Sequence, residues 1–414
     1  MDNSSNMRLF ALNILHAVLI HKHKAKSSLA YQIAQQNWEP RDAALLREIV
    51  YGVLRHYYSL EADVSRFIQQ KPNDHSRIAL LLGAYQLRHM RIPAHAAVSE
   101  TVTAIKSLAP QDAGFINAVL RKVSNHEPPT KLKPHQRAEL PKWMYALWRD
   151  AFDADVVQSM MQACQQPADL CIAVFEDRDA WMNQAVSQGF TVRQGELSPY
   201  AVLLDANTHV TQLPGYDQGE FIVIDQAAQA ATLPITLTHK TGHILDICAA
   251  PGGKTAMIAK RFPKANVTAI ELNPKRIPRL QENLSRLNLN HVEIIQADAA
   301  NLPYAEHSID AIFLDAPCSA SGTLRRHPDA KFLHDQQSME EAAKLQTQLL
   351  KEALRVLKLG GSLVYAVCSI HPQENEAVVN QFEGVQNTQR LLPRDTHDGF
   401  FFAHIIKSGA DKLG

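Results

Sequence analysis

The stretch His243–Thr255, with the sequence HILDICAAPGGKT, decides how the second half of the chain folds. Its apolar start is typical of a buried strand, its small residues are typical of a turn, and a helical pattern follows them. Because glycine has no Cβ, Gly252 and Gly253 would let a ligand approach the backbone N–H groups at the helix start. The stretch therefore predicts a strand, a tight turn and a helix, in an arrangement that suits a nucleotide-like ligand.

The same turn is compatible with other interpretations. A triphosphate-binding P-loop would need a glycine at position 248, where the chain has Cys248. The dinucleotide motif Gly-x-Gly-x-x-Gly does not fit the stretch either. An ordinary tight connection between a strand and a helix stays open on the turn alone.

From about residue 220 onward, strand-like apolar segments alternate with helical segments. Repeated units of this kind form a parallel sheet with helices on both faces. Ligands of such sheets bind beyond the carboxyl ends of the strands. The strand-like segments are FIVID, HILDIC, NVTAIEL, VEIIQAD, DAIFLDAP and SLVYAVC.

Acidic residues stand at or near the ends of four of these segments, namely Asp246, Glu271, Asp298 and Asp315. Glu271 follows the glycine turn by about 20 residues, which is the placement of a carboxylate that accepts hydrogen bonds from ribose hydroxyls. An isolated acid at a strand end is usually a cap or turn residue. Four of them in register with one glycine turn indicate a ligand site at this edge.

Two cysteines lie just past apolar strand segments at the same predicted edge. Cys318 stands in DAPCSASG, which is Asp315–Gly322, and Cys368 stands in AVCSI, 50 residues later. A single cysteine at such a place is more often a small buried apolar residue. Two of them at ligand-facing strand ends favour thiol chemistry.

The quoted segments resemble motifs of a known family. HILDICAAPGGKT resembles motif I, DAPCSASG motif IV and AVCSI motif VI of the S-adenosylmethionine-dependent RNA 5-methylcytosine methyltransferases, and FIVIDQAAQ resembles the strand element before motif I. The resemblance implies a Rossmann-like class I methyltransferase domain with S-adenosylmethionine as cofactor. The implied cofactor contacts are Cys248, Ala249, Ala250, Pro251, Gly252, Gly253, Lys254, Glu271, Asp298 on the adenine side, and Asp315.

The same resemblance implies roles for the reacting side chains. Spacing does not decide which cysteine attacks, because the Pro-Cys cysteine is the nucleophile in DNA cytosine-5 enzymes and the motif VI cysteine is the nucleophile in the RNA family. By likeness to the RNA family, Cys368 attacks, Cys318 assists release, and Asp315 hydrogen-bonds the cytosine and assists proton transfer. Val367 departs from the family's usual Thr-Cys-Ser, which puts a helper hydroxyl in doubt but leaves the thiol in place.

Residues 1–125 have apolar residues at helical spacing and little strand pattern, which predicts an all-α domain. The phrases RDAALLREIVYGVLRHYYSLE, AHAAVSETVTAIKSL and GFINAVLRKV resemble the helical RNA-binding domain of the antitermination factor NusB. We therefore expect this domain to help dock RNA.

The charge of the chain is divided unevenly. Residues 1–150 contain 20 Lys/Arg and 12 Asp/Glu, although the whole chain has 42 of each. A basic front suits a polyanionic partner, and an ordinary solvated helical domain is the alternative. The candidate phosphate contacts are Arg41, Arg47, Arg55, His56, Arg88, Arg91, Arg121 and Lys122.

These patterns predict three parts. We expect an all-α NusB-like domain at 1–127, a linker and small α/β RNA-facing subdomain at 128–217, and the methyltransferase domain at 218–414. Proline-rich sequence marks the linker. The strand-like segments of the middle subdomain are LCIAVF, FTVRQG, YAVLLD and GEFIVID.

Two further segments near the cysteines have open interpretations. In the basic turn Leu324–Asp329, Arg325 and Arg326 would either contact RNA phosphates or form an Arg–Asp network that shapes the loop. The segment His371–Glu376 lacks accompanying ligands for a metal, so we expect no metal and interpret it as helix capping.

The cysteines and the apolar segments limit the class of protein. Five cysteines without a Cys-x-x-Cys pair argue against a disulfide framework or a zinc site and favour a reducing cytoplasm. No segment of the sequence is long and apolar enough for a membrane span, so we expect no membrane partner.

A NusB-like domain joined to these motifs resembles the bacterial family members that methylate carbon 5 of cytosine 967 in 16S ribosomal RNA. The implied partner is 16S ribosomal RNA or a small-subunit assembly intermediate, and we expect a monomer. Methylation of another rRNA or tRNA cytosine is one alternative, and a non-catalytic RNA-binding assembly factor is another. Cys248 disfavours a nucleotide triphosphate hydrolase.

Overall fold

The computed structural model describes residues 3–35 and 38–409, which divide into two compact units. Unit 1 contains Met1–Gln165 and Leu324–Gln336, and unit 2 contains Gln166–Thr323 and Gln337–Gly414. Each unit has hydrophobic clusters of its own. Over the described residues, none of the helices combines the length and the apolar character needed to cross a membrane.

Unit 1 is helical, as the spacing of its apolar residues predicted. Its helices are α1 (Asn3–Leu19), α2 (Ala25–Ala34), α3 (Pro40–Arg55), α4 (Tyr57–Ser65), α5 (Asp74–His89), α6 (Ala94–Lys106), α7 (Ala113–Asn125), α8 (Pro134–Arg137), α9 (Lys142–Ala151) and α10 (Ala154–Cys164), with a 3₁₀ turn at Pro110–Asp112. The apolar stripe of α3 is typical: Leu46, Ile49 and Val53 are fully buried. Burial of such stripes, rather than helix propensity, supplies most of the stability of these helices.

Three of the predicted phosphate contacts have structural roles instead. Arg55 is buried and donates to the carbonyl of Arg325 at 3.0 Å. Arg88 forms an ion pair with Asp63 at 2.8 Å and also donates to two carbonyls at the end of α7. Burial lowers the pKa of His56 to about 3, so this ring is neutral at physiological pH. These contacts within the fold favour structural roles for Arg55, His56 and Arg88 over phosphate contact.

The first part of unit 2 is a small antiparallel sheet. Its strands are β1 (Leu170–Val174), β2 (Val192–Gln194), β3 (Ala201–Leu204) and β4 (Phe221–Val223), and α11 (Arg178–Ser187) follows β1. The strand order is β2-β3-β1-β4. The four strand segments predicted for the middle subdomain are confirmed.

The rest of unit 2 is a seven-stranded mixed sheet. Its strands are β5 (His243–Ile247), β6 (Asn266–Glu271), β7 (Glu293–Gln296), β8 (Ile309–Asp315), β9 (Leu357–Val367), β10 (Val385–Leu391) and β11 (Phe400–Ile406). The order is β10-β11-β9-β8-β5-β6-β7, parallel from β9 to β7 and antiparallel at β11 and β10. The main helices are α12 (Gln226–Thr232), α13 (Gly253–Arg261), α14 (Ile277–Arg286) and α16 (Gln336–Val356), with a short α17 (Glu376–Val379). This is the expected Rossmann-like architecture.

Alternating side chains of the central strands enter two different apolar clusters. On β8, Phe313 packs in the cluster that contains residues of α12, α13 and α14, whereas Leu314 packs in the cluster that contains residues of α16. Successive side chains of a strand point to opposite faces. Both faces of the sheet are therefore covered, which is why its strands are apolar throughout.

One strand predicted for the large sheet lies in the small sheet instead, and two strands of the large sheet were not expected. FIVID was included among the strands of the large sheet, but β4 pairs antiparallel with β1 in the small sheet. The strands β10 and β11 were not predicted. Both come after the last βα unit and add antiparallel to β9, so the alternation of strands and helices gives no signal for them.

The segment Leu324–Gln336 belongs to unit 1, although its sequence neighbours lie in unit 2. It contains α15 (Ala330–Leu333). The ammonium of Lys331 is buried and donates to the carbonyl oxygens of Arg55 (3.0 Å) and Glu139 (2.7 Å). A carboxylate oxygen of Asp329 accepts the N–H of Ala25, the first residue of α2, at 2.9 Å.

Burial decides between the two interpretations of the basic turn for one of its arginines. Arg325 is only 2% exposed, so its side chain is not available to RNA phosphates. Burial also lowers the pKa of Lys331 to about 8. These buried charges favour the interpretation in which the turn is a structural network.

The compact units also divide the chain differently from the three parts expected from sequence. Residues 128–165 lie in unit 1, whereas 166–217 lie in unit 2 with the large sheet. The buried Glu139 explains the first assignment, because its carboxylate accepts the backbone N–H groups of Tyr58 (2.8 Å) and Ser59 (3.3 Å) at the start of α4. The boundary at residue 127 therefore separates residues that contact each other, and the three-part division stays a proposal.

The burial of Lys331 leads to a testable prediction about the segment Leu324–Gln336. In Lys331→Ala two buried carbonyls lose this donor, which costs about 1–3 kcal/mol each and makes the segment open more often. We expect trypsin to cleave after Arg325 or Arg326 at least about tenfold faster than in the wild type, because such cleavage tracks the population of the open form. Lys106→Ala, at an exposed position of the same unit, is the control. Equal cleavage rates in all three proteins would show that Lys331 does not anchor the segment.

Candidate active site

The strand β5 ends at Ile247 and is followed by a turn with two unusual backbone conformations. Cys248 has φ 63° and Gly252 has φ 98°. A Cβ at Gly252 would lie 2.7 Å from Cδ1 of Leu280, so both the left-handed backbone and the packing of α14 require glycine here. α13 begins at Gly253, immediately after this turn. The predicted order of strand, glycine turn and helix is confirmed.

Glu271 ends β6 beside this turn. Its carboxylate accepts the backbone N–H of Ala250 at 3.3 Å and that of Asn273 at 2.9 Å, and it pairs with Arg276 at 3.0 Å. The residue is 4% exposed. The structure thus joins the acidic residue to the glycine turn through the chain's own N–H groups.

Asp246 and Asp298 are in very different environments. Asp246 is fully buried in β5, one of its oxygens accepts the hydroxyl of Thr255, and its other oxygen, Oδ1, makes no hydrogen bond within the described structure. Burial raises the pKa of Asp246 to about 7. Asp298 is exposed, two residues after β7, and accepts the N–H of Ala300 at 2.9 Å.

Lys254 and Asp315 form an ion pair at the carboxyl ends of β5 and β8. The ammonium lies 2.8 Å from Oδ2 of Asp315, which is the last residue of β8. Burial lowers the pKa of Lys254, but the charges of Asp315 and the nearby Cys368 raise it, and the net shift is upward. The ammonium of Lys254 therefore stays protonated at neutral pH, paired with the carboxylate of Asp315.

The two predicted cysteines lie side by side. In the β8–β9 ladder Asp315 stands opposite Ala366, so the loops after these strands start at the same level. The Sγ atoms of Cys318 and Cys368 are 3.4 Å apart, and both residues are partly buried free thiols. The hydrogen bond to Cys368, together with burial, raises the pKa of Cys318 well above its usual value. Cys318 therefore keeps its proton at neutral pH.

A third cysteine, Cys248, lies in the glycine turn. Burial and the neighbouring carboxylates raise the pKa of its thiol to about 12. It is consequently a neutral thiol under physiological conditions, which does not suit a nucleophile.

A network that the sequence analysis missed connects the two cysteine loops. The buried carboxylate of Glu374 accepts hydrogen bonds from the hydroxyls of Ser319 and Ser369, each of which directly follows a cysteine. The repeated Cys-Ser pair was the feature of the sequence that could have indicated this network. Glu374 was instead included in a segment interpreted as helix capping, and α17 starts only at Glu376.

The structure brings six of the predicted site residues together in pairs. Hydrogen bonds or ion pairs join Ala250 to Glu271, Lys254 to Asp315, and Cys318 to Cys368. Asp298 makes its side-chain hydrogen bond locally, to Ala300. Within the part of the chain that is described, no group of three or more His, Cys, Asp or Glu side chains has the geometry of a metal site.

Comparisons with known proteins match both halves of the chain. Residues 234–405 match the model of the 16S rRNA methyltransferase RsmB/F family, and residues 5–125 match the NusB family. The ribosomal RNA small subunit methyltransferase B of Vibrio vulnificus is 36% identical, with 97% of this chain and 99% of the relative covered. The protein of the same name from Vibrio cholerae is also 36% identical, with 97% and 98% covered.

Solved structures share the fold. The protein PH0851 superposes with a TM-score of 0.81 at 20% identity, covering 97% of this chain and 99% of its own. NSun6 from Pyrococcus horikoshii superposes with a TM-score of 0.57 at 19% identity, covering 64% and 98%. The first of these likenesses extends over nearly the whole chain.

The acceptors of the site fit the chemistry of S-adenosylmethionine, which carries a positive sulfonium, an ammonium and ribose hydroxyls. The carboxylates of Glu271 and Asp298 follow neighbouring parallel strands, and Asp246 has a buried oxygen without a hydrogen bond in the described structure. Ligands of Rossmann-like sheets bind at this edge. With 36% identity over 97% of its length, the chain belongs to the 16S rRNA methyltransferase RsmB/F family of S-adenosylmethionine-dependent enzymes.

Proposed function

We propose that the protein transfers the methyl group of S-adenosylmethionine to carbon 5 of a cytosine in 16S ribosomal RNA, at cytosine 967, through a covalent adduct on Cys368. The observation that carries the proposal is the pair of thiols, 3.4 Å apart, at the ends of two adjacent parallel strands. Relatives at 36% identity are named as small-subunit rRNA methyltransferases, which supports the substrate class.

A thiol is needed because carbon 5 of cytosine is a weak nucleophile. A thiolate that adds to carbon 6 pushes electron density onto carbon 5, which can then take a methyl group, and covalent addition splits one difficult step into easier ones. The sulfonium of S-adenosylmethionine supplies the methyl group. Afterwards carbon 5 loses its proton, and elimination returns the electron pair to the sulfur of the enzyme.

The environment of the two thiols supports the assignment of Cys368 as nucleophile. Cys318 holds its proton, because its pKa is raised by the hydrogen bond to Cys368 and by burial. The ammonium of Lys254 lies close enough to Cys368 to interact with it electrostatically, and reactive cysteines are typically found beside positive charges. In this assignment Cys318 assists release of the enzyme, and Asp315 assists transfer of the carbon 5 proton.

In this proposal Asp315 orients the base. Its carboxylate is partly exposed at the end of β8 and is held by Lys254 at 2.8 Å. A carboxylate in this position can accept a hydrogen bond from the exocyclic amino group of cytosine. The target base has to leave its stack to reach the thiols, so binding includes an unstacking cost that contacts elsewhere on the RNA must offset.

We further propose that the NusB-like helices dock the RNA and that the protein acts as a monomer. Apart from the three structural residues, the candidates for phosphate contact are all exposed, namely Arg41, Arg47, Arg91, Arg121 and Lys122. Lys and Arg contacts to phosphates position a nucleic acid without specifying its sequence. The choice of nucleotide would then depend on the catalytic unit.

Two alternative functions can be separated from this proposal by experiment. Methylation of another rRNA or tRNA cytosine uses the same chemistry, and mapping of 5-methylcytosine in RNA from cells with and without the protein separates the targets. A non-catalytic assembly factor would have no use for paired thiols beside a carboxylate and a lysine. Methyl transfer to bulk small-subunit RNA tests that alternative.

The cysteine roles give opposite predictions for two single variants. Cys368→Ala removes the nucleophile, and we expect methyl transfer to fall by at least about a thousandfold because the residual site lacks covalent catalysis. Cys318→Ala keeps the attack but slows release, so a covalent RNA–protein adduct should accumulate on denaturing gels. Cys171→Ala, at a buried cysteine of the small sheet, is the control. An adduct in Cys368→Ala and none in Cys318→Ala would reverse the roles.

The docking role predicts a change in RNA affinity without a change in cofactor affinity. In the triple variant Arg47→Glu, Arg121→Glu and Lys122→Glu, we expect RNA binding to weaken, with the slope of its salt dependence reduced by ~0.7–0.9 for each phosphate that is no longer neutralised. The matched control changes three exposed lysines of unit 2, Lys264, Lys344 and Lys351, to Glu. Fluorescence titrations measure both affinities. Equal RNA affinity of the two triple variants would count against docking by the NusB-like helices.

A further inference from the structure

Each cysteine of the site is followed by a serine, and both serines bind the same carboxylate. Oε2 of Glu374 accepts the hydroxyl of Ser319 and, at 2.5 Å, the hydroxyl of Ser369. The two hydroxyl oxygens are 3.3 Å from each other. Oε1 of Glu374 accepts the backbone N–H of Ser319 at 2.8 Å and Nε2 of Gln346 at 3.2 Å.

The carboxylate itself is held from outside the two loops. Glu374 is fully buried, and its backbone carbonyl accepts the hydroxyl of Tyr365, on β9, at 2.7 Å. Gln346, on α16, also donates to the carbonyl of Pro317, directly before Cys318, at 2.9 Å. Glu374 is thus fixed to a strand and a helix of the rigid part of the unit.

Further hydrogen bonds join the two loops to each other. The hydroxyl of Ser321 lies 3.0 Å from that of Ser369 and accepts the N–H of Ile370 at 3.1 Å. The N–H of Gly322 donates to the carbonyl of Cys368 at 3.0 Å. The Cys318 loop is therefore attached to the Cys368 loop at several points, and the shared carboxylate is the only charged group among these attachments in the described structure.

We propose that Glu374 is a positioning residue that holds the two thiols at their working separation by binding Ser319 and Ser369 together. Neither the carboxylate nor the serines touch the reacting atoms in this proposal. Ser369 orients the loop of Cys368, and Ser319 orients the loop of Cys318. The consequence for catalysis rests on the function proposed above. Adduct formation depends on Ser369, and release depends on Ser319.

The physical reason is the cost of leaving buried groups unpaired. A hydrogen bond to a charged group stabilises more than a neutral one, and a buried carboxylate that loses its donors has to find others or take up a proton. Loss of either serine therefore lets one cysteine loop move independently of the other. A shift of about 1 Å in a reacting group is enough to cost about a hundredfold in rate.

The first experiment measures the separation of the thiols without RNA or cofactor. Diamide oxidises two neighbouring thiols to a disulfide and is itself reduced to the hydrazine, and peptide mapping by mass spectrometry follows the Cys318–Cys368 disulfide. We expect disulfide formation to be about tenfold slower in Glu374→Ala, and at least about threefold slower in Ser319→Ala and in Ser369→Ala, than in the wild type. Ser362→Ala is the matched control, because Ser362 is a buried serine of β9 that bonds Thr236 and His404 instead.

The second experiment separates the two serines by their effect on catalysis. In Ser319→Ala we expect the covalent RNA–protein adduct to accumulate, because Cys318 is displaced. In Ser369→Ala we expect adduct formation itself to slow, with no accumulation, because Cys368 is displaced. Unchanged affinity for S-adenosylmethionine in both variants shows that the unit is folded, and a merely structural role would not divide the two steps in this way.

The outcomes distinguish this proposal from the function on which it rests. If Cys318→Ala traps no adduct, the proposed covalent function fails, while the disulfide rates still judge the positioning role of Glu374. Disulfide rates in Glu374→Ala and both serine variants equal to that of Ser362→Ala would overturn the proposal. The same effect of both serine variants on adduct formation and release would also overturn it.

Discussion

The register of β8 against β9 is the constraint on which the candidate site depends. Asp315 stands opposite Ala366 in this parallel ladder, so the loops that carry Cys318 and Cys368 leave the sheet side by side. A shift by one residue would turn each strand's side chains to the other face and separate the loops. The apolar clusters on both faces, which contain Phe313 and Leu314 in alternation, make such a shift costly.

Once this register is set, the electrostatics of the site follow from burial. Low solvent exposure raises the pKa of Asp246 to about 7 and that of Cys248 to about 12, so the thiol is neutral at physiological pH and the carboxyl titrates near it. The ammonium of Lys254 and the carboxylate of Asp315 are paired with each other at the edge of the sheet. A charged pair beside two thiols suits a reaction in which a thiolate has to form and later leave.

Much of this arrangement could be predicted from the sequence, because the relevant signals are local. The strand, the glycine turn and the acids at strand ends lie within short segments, and parallel strands bring their carboxyl ends to one edge regardless of the details. The proximity of Cys318 and Cys368, 50 residues apart, followed from that rule alone. The helices of unit 1 followed in the same way from the spacing of apolar residues.

The features that were missed depend on contacts between distant segments. Nothing in the sequence around Lys331 shows that it will be buried against Arg55 and Glu139, so the segment after the Cys318 loop was not expected in unit 1. Glu374 lies in a polar segment that is typical of a helix start, and only the fold reveals that both Cys-Ser pairs bind it. The strands β10 and β11 add to the sheet without a βα unit and gave no alternation to detect.

The central claim is that Cys368 attacks cytosine while Cys318 forms no bond to the base. The most direct test uses 16S ribosomal RNA transcribed with 5-fluorocytidine, because the fluorine at carbon 5 cannot leave as a proton and the reaction stops at the adduct. After incubation with the protein and S-adenosylmethionine, digestion and mass spectrometry identify the cysteine that carries the nucleotide. Our account predicts a methylated fluorocytidine on the peptide that contains Cys368. A nucleotide on Cys318, or methyl transfer to unmodified RNA with no adduct on the fluorinated RNA, would contradict it.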